Sequence, residues 1–269
     1  MHTRTVLNMD DSWLSGMAYE RFMGRWSTMV AQEFLPWLAV PVARHWLDVG
    51  CGTGALTKLV LKTCHPAQVV AVDSSSEFVL DAQRSITDPR AQFRIGQAEA
   101  LDFDSSTFDA VVSGLALNFV SQPKAAVSEM MRVAKPDGAV GIFLWDYAEG
   151  MQMLRYFWDA AVDLDDEARK FDEGIRFPIC QEGQLESLVR TVGLKQVEAI
   201  AIEVPTVFRD FDAYWQPFLG GVGPAPGYVL SLDQEKRQSL EDRLRRSLPV
   251  ENDGSISLIA RAWAVKGRA

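Results

Sequence analysis

Basic charge is scarce in this chain. Lysine and arginine number 27 against 36 aspartates and glutamates, for a formal net charge of -9. Such a surface repels phosphate backbones, which argues against a nucleic-acid substrate. Histidine and cysteine are scarcer still, at three each. The histidines have no metal-like spacing, so no metal is expected. The cysteines (Cys51, Cys64, Cys180) are odd in number and form no CxxC. They read as free thiols in a reducing, cytoplasmic compartment. Long apolar runs are missing as well. None approaches the ~20 residues of a membrane helix, so no membrane span is expected. The opening stretch MHTRTVLNMDDSW lacks the apolar core of a signal peptide. What is plentiful is ordinary core material: 48% of the residues are hydrophobic and 23% charged, which excludes a mostly disordered chain.

From residue 45 short apolar runs alternate with amphipathic stretches. Strands are expected at about 45–49, 68–72, 91–95, 108–114 and 139–146, with helices at about 54–63, 75–86 and 123–134 between them. Strands separated by helices imply parallel crossovers and a sheet covered on both faces. Ser74 with Glu77 reads as a capping box opening the second helix, Pro123 suits a first helical turn, and Lys135-Pro136-Asp137-Gly138 reads as a turn before the next strand. After 147 the alternation lapses. Helices are expected at Met151–Val162, 182–192 and 233–247, and strands at about 196–204 and 256–265. Residues 148–180 and 205–254 read as cap insertions on a domain spanning 41–269, with 1–40 as an N-terminal helical cap segment. Phe208, Phe211, Tyr214, Trp215 and Phe218 fit either a pocket for an apolar substrate or core beneath a cap. The 233–247 helix reads as a solvated surface helix.

The sharpest local feature is Leu47-Asp48-Val49-Gly50-Cys51-Gly52-Thr53-Gly54-Ala55, a glycine-rich turn between a strand and a helix. Glycines there permit a tight turn and let a ligand approach the backbone. The next strand ends in Asp73, and ligands of doubly wound sheets bind at that edge. A carboxylate there can accept bonds from the two hydroxyls of a ribose. The turn also fits GxGxxG/A, so a dinucleotide site and an NAD(P)-dependent oxidoreductase stay open. Asp48 opposes that, because its charge suits a cation or an amino group better than a pyrophosphate.

Five stretches in order, LDVGCGTG (47–54), VVAVDSS (69–75), GQAEALDF (96–103), FDAVVSGLALNFV (108–120) and RVAKPDGAVGIF (132–143), resemble the class I S-adenosylmethionine (SAM)-dependent methyltransferases, in particular the small-molecule group that includes the ubiquinone and menaquinone methyltransferases. The resemblance implies a Rossmann-like, doubly wound α/β fold with a seven-stranded sheet, mostly parallel, the last strand antiparallel. It implies SAM as cofactor, S-adenosylhomocysteine (SAH) as product, and methyl transfer to oxygen, nitrogen or carbon of a small, partly apolar or aromatic acceptor. Asp48, Gly50, Cys51 (through its backbone), Gly52 and Gly54 would line the methionine part. Asp73 would hold the ribose and Ser74 lie beside the adenine. Ala98 and Glu99 would approach the adenine. The family usually has an Asp one residue earlier, which leaves open which side chain reads the base. Leu115 and Leu117 would contact the ligand or face the substrate. Arg25, in the aromatic stretch Tyr19–Ser27, would pair with the SAM carboxylate or form a surface salt bridge. No catalytic base can be named: His45 and His65 fall at the wrong end of the sheet, His2 near the terminus, and Asp146 is on the correct edge but equally suits a structural role. A noncatalytic SAM- or SAH-binding protein is the other open reading.

Overall fold

A computed structural model describes residues 23–220 and 223–269. Helix α1 (Arg25–Leu38) precedes β1 (His45–Val49), α2 (Ala55–Thr63), β2 (Gln68–Asp73), α3 (Ser76–Ser85), β3 (Ala91–Ile95), β4 (Phe108–Gly114), α4 (Pro123–Val133) and β5 (Ala134–Trp145). Then follow α5 (Gln152–Leu164), the single turn α6 (Glu173–Arg176), α7 (Gln184–Val192), β6 (Lys195–Phe208), α8 (Phe211–Trp215), α9 (Pro224–Ser231), α10 (Gln234–Ser247) and β7 (Ile256–Arg268). The strands form one seven-stranded sheet in the order β3-β2-β1-β4-β5-β7-β6. Strands β1 to β5 pair in parallel, and β7 runs antiparallel to both neighbours.

Local chemistry accounts for these elements. In the central strands β1 and β4, Trp46, Leu47, Val49, Ala110, Val111 and Val112 are all buried, as sandwiched parallel strands require. Helix α1 turns Trp26, Val30, Phe34 and Leu38 onto the sheet, where Phe34 meets Phe143 of β5 with ring centroids 4.8 Å apart. Gly141 makes that contact possible, because a Cβ there would fall 2.8 Å from both Phe34 and Leu38.

Several boundaries differ from the sequence reading. The α3 cap is Ser75, whose hydroxyl accepts from the Phe78 N–H at 3.3 Å, one residue later than the expected Ser74. The Lys135–Gly138 turn lies inside β5, as an irregularity between the pairs Phe108↔Ala134 and Ala110↔Ala139. Asp137 takes φ 61° there, a conformation that aspartate tolerates better than most side chains. Strand β6 runs on to Phe208, because β7 pairs with it throughout; Ile202 and Trp145 face the same β7 residue, Ala262, so the β6–β7 pair overruns β5.

The two stretches read as irregular caps are largely helical and share a second aromatic core. Phe157 of α5 stacks on Phe218 at 4.5 Å, Trp158 meets Tyr228 of α9 at 5.8 Å, and Phe208 meets Tyr214 of α8 edge-on at 5.4 Å. The Tyr214 hydroxyl donates to the Met153 carbonyl at 2.9 Å. The 208–218 aromatics are therefore packing, and the pocket alternative is set aside. Helix α10 buries only Leu240 and Leu244, so its solvated reading stands. Among the described residues no helix is long and apolar enough to cross a membrane.

Candidate active site

A cleft of about 560 Å³ opens at the C-terminal ends of β1 to β5, within the usual size of small-ligand sites. Its floor is the glycine turn. The N–H groups of Gly50 and Cys51 both donate to the Val72 carbonyl, at 2.8 and 3.0 Å, which ties the turn to β2. Gly50 takes φ +74°, and a Cβ there would lie 2.4 Å from the Ala116 Cβ, so only glycine lets the turn pass the segment after β4. Gly54 takes φ +89° as the residue before α2. Its missing side chain faces Ile86 and Ala82, away from the cleft.

Asp73, at the end of β2, joins three elements. Its Oδ2 accepts from the Gly52 N–H at 2.8 Å and its Oδ1 from the Ser75 N–H at 2.9 Å. Each oxygen keeps a further lone pair for a ligand in the cleft that the side chain lines. Ser74, Ala98, Glu99 and Leu115 line it too. Glu99 accepts from the Ser121 hydroxyl at 3.0 Å, which fixes the 97–100 loop to the start of α4. Leu115 sits at φ 58° and donates its N–H to the Phe143 carbonyl at 2.8 Å.

Asp48 lies beneath the turn. It is buried, and its Oδ2 accepts from the Thr57 hydroxyl at 2.6 Å, while Oδ1 has no hydrogen-bond partner. Burial raises its carboxyl to about 7, against the lowering effect of the Thr57 bond. Burial likewise pushes the Cys51 thiol well above its ordinary value, so Cys51 offers its backbone and not a thiolate.

The structure thus brings Gly50, Cys51, Gly52, Asp73, Ser74, Ala98, Glu99 and Leu115 to one cleft, and places Asp48 and Gly54 just behind it. Arg25 stands apart from the lining; its guanidinium stacks over Trp26 at 4.5 Å and Phe208 at 5.5 Å. Tyr19 falls outside the described residues. Leu117 is buried behind the wall. Asp146 is buried and structural: Arg261 holds its Oδ2 at 2.7 Å and the Glu149 N–H its Oδ1 at 3.0 Å. The two insertions leave the correct edge, after β5 and β6, but pack over the β5-β7-β6 end. Among the described residues neither lines the cleft; Phe177, from the first insertion, meets lining residue Phe119 with ring centroids 5.4 Å apart. Sequence reasoning missed Thr28, Ala31 and Phe143, which form the wall at the β5 end. Only the tertiary placement of α1 against β5 reveals them. Among the described residues no His, Cys, Asp and Glu cluster could hold a metal.

Residues 47–142 match the methyltransferase domain family. An uncharacterized methyltransferase of Mycobacterium tuberculosis is 37% identical over 129 residues, 48% of this chain and 49% of that protein. A demethylmenaquinone methyltransferase of Roseiflexus castenholzii is 35% identical over 102 residues, 38% of this chain and 43% of that protein. The match thus spans about half or less of these relatives' length. Among solved structures, a putative methyltransferase from an antibiotic biosynthesis pathway of Anabaena variabilis superposes with TM-score 0.62 at 19% identity, over 88% of this chain and 96% of that one. A phosphoethanolamine N-methyltransferase of Haemonchus contortus, in complex with phosphomonomethylethanolamine and SAH, gives 0.60 at 16% identity, over 95% of this chain and 58% of that one. Residues 47–142 thus match a methyltransferase domain family, and the chain carries the fold of these solved methyltransferase structures.

Proposed function

We propose that the cleft binds SAM and that the chain transfers its methyl group to a small-molecule acceptor. One observation carries this reading beyond the fold: the charged side chains lining the cleft among the described residues are all carboxylates, Asp73, Glu77 and Glu99. A carboxylate-lined cleft favours a sulfonium and an ammonium and disfavours the pyrophosphate of a dinucleotide. Asp73 would hold the ribose hydroxyls with its remaining lone pairs. Ala98, Glu99 and Ser74 would surround the adenine. The backbone of Gly50, Cys51 and Gly52 would carry the methionine part, with Asp48 and Gly54 supporting it from behind. Bound SAM would supply an electrophilic methyl group. The residues of this chain would hold it, exclude water and align the acceptor, and alignment supplies much of the rate of such a displacement. The free thiols and the absence of a membrane-length helix among the described residues suit a cytoplasmic enzyme.

Titration calorimetry with SAM, SAH, NAD and NADP tests the cofactor. SAM and SAH should bind and the dinucleotides should not. Asp73→Ala removes two charge-assisted hydrogen bonds to the ribose, each worth about 1.5–3 kcal/mol, and should weaken SAH binding at least tenfold. An unchanged affinity in a folded variant sinks the ribose role. A SAH-release screen then separates an enzyme from a noncatalytic SAM-binding protein, which would turn over no acceptor. Methyl-labelled SAM should label small metabolites and leave nucleic acid unlabelled.

A further inference from the structure

The loop after β3, running from Gly96 to Phe103, lines one side of the cleft through Gly96, Gln97, Ala98 and Glu99. It leaves the edge strand of the sheet, so no further strand supports it. Leu101 is its one buried residue. What holds the loop is helix α4. Glu99 Oε1 accepts from the Ser121 hydroxyl at 3.0 Å just ahead of that helix. Within the helix, Glu129 Oε2 accepts from the Leu101 N–H at 2.9 Å. Arg132 donates from Nη2 to the Leu101 carbonyl at 2.9 Å and from Nη1 to the Phe103 carbonyl at 2.8 Å. The same guanidinium donates to Glu129 from Nε and Nη2, both at 2.7 Å. Both backbone polar groups of Leu101 are thus fixed by side chains of α4, close behind the cleft-lining Ala98 and Glu99.

We infer that Glu129 and Arg132 are positioning residues that set the nucleobase selectivity of the cleft, by locking the 97–99 segment in the one arrangement that accepts an amino-purine and rejects its oxo counterpart. The inference rests on the cofactor reading above. Neither residue lines the cleft, so both act through the loop. Adenine presents an amine donor beside an accepting ring nitrogen. Hypoxanthine presents a carbonyl acceptor beside an N–H donor. A site rejects the wrong pattern only if its own donors and acceptors stay in place and are left unpaired by it. A loop free to turn would offer the other backbone group and take either base, because hydrogen bonds tolerate little misalignment but a mobile segment can realign. The fork of Arg132 reaches two loop carbonyls and the Glu129 carboxylate at once. A lysine ammonium is a single point charge and cannot span all three.

Titration calorimetry with SAH and with S-inosylhomocysteine, in which a carbonyl replaces the adenine amine, tests the assignment. The wild-type protein should prefer SAH by about tenfold or more. Arg132→Met should weaken SAH binding and shrink that preference to about threefold or less, and Arg132→Lys should not restore it. Glu129→Ala serves the same purpose if Arg132→Met does not fold. A loss of stability alone leaves the ratio of the two dissociation constants unchanged, which Arg155→Ala, a destabilised variant in α5, should show. A full preference in folded Arg132→Met or Arg132→Lys, an equal shrinkage in Arg155→Ala, or a wild-type protein that binds both ligands alike overturns the inference. Failure of the wild-type protein to bind SAH overturns the cofactor reading instead, so the two failures are distinguishable.

Discussion

Gly50 and Gly52 stand two residues apart in the same turn, both in the left-handed region, yet alanine should cost very different amounts at the two. At Gly52, φ is +52° and a Cβ would meet nothing within 4 Å. Gly52→Ala should therefore cost only the left-handed strain of an L-residue, about 1–2 kcal/mol. At Gly50 the same strain applies at φ +74°, and the new Cβ would also lie 2.4 Å from the Ala116 Cβ. Carbon atoms in contact sit about 3.5–4.0 Å apart, so strand β1 and the segment after β4 must separate. Such overpacking adds about 1–3 kcal/mol, which brings Gly50→Ala to about 2–5 kcal/mol. Urea unfolding followed by circular dichroism and tryptophan fluorescence reads both. The clash has one source, so it should be reversible: with Ala116→Gly added, the Cβ that blocks a side chain at 50 is gone. The double variant should recover the clash cost and keep the strain, less about 0.5–1 kcal/mol for the new glycine. Equal midpoints for Gly50→Ala and Gly52→Ala, or no rescue by Ala116→Gly, would refute the packing account of the turn.

The remaining expectations concern charge and aromatic contacts. Asp48 and Glu173 are buried, and burial raises both carboxyls to about 7 from 3.8 and 4.5. The folded state then holds more protons than the unfolded chain, so their contribution is complete below pH 4 and is lost as pH rises to about 7. Asp48→Asn with Glu173→Gln should flatten that fall in urea titrations at pH 5 and 8. Glu129 runs the other way: its bonds from Arg132 lower its carboxyl, and that contribution is lost on acidification. Arg155 and Asp172 pair with little exposure, joined by an Arg155 to Asp172 Oδ2 bond of 3.0 Å. Arg155→Ala leaves the carboxylate unpaired and should cost about 3–5 kcal/mol in thermal or urea unfolding. Arg25→Ala should cost about 0.5–1 kcal/mol through the lost stacking on Trp26 and Phe208 and leave SAH affinity within twofold; a tenfold loss would restore Arg25 to the ligand.

Features that live on short stretches of chain were legible before any coordinates. The alternation of apolar strands and capped helices from 45 to 146 placed five parallel strands to within a few residues, except where β5 absorbs the Lys135–Gly138 irregularity. The glycine turn and Asp73 were legible because consecutive parallel strands bring their C-terminal ends side by side, whereas Glu99 was reached only through the family resemblance. The second half was harder. The 208–218 aromatics show helical spacing whether they line a pocket or fill a core, and partners distant in sequence, the Phe157 ring on Phe218 and the Met153 carbonyl on Tyr214, decide between them. Thr28 and Ala31 carry no local mark of a binding wall. Their role in the lining follows from where α1 lands on a sheet built later in the chain.

That placement has a consequence for the order in which the protein can be made. Helix α1 is synthesised before the sheet it rests on, strands β5, β6 and β7, and the Trp37 carbonyl accepts from Lys266 Nζ at 3.0 Å, 229 residues further along the chain. At roughly 5–20 residues per second, some 10–50 s of synthesis separates the helix from its last strand. During that interval Trp26, Val30, Phe34 and Leu38 have no finished sheet to cover, and one wall of the cleft does not exist. The nascent chain should therefore gain affinity for SAH only once β7 has emerged and paired. A ribosome-stalled chain ending near 250 should display an exposed apolar helix for chaperones, despite carrying every residue of the glycine turn.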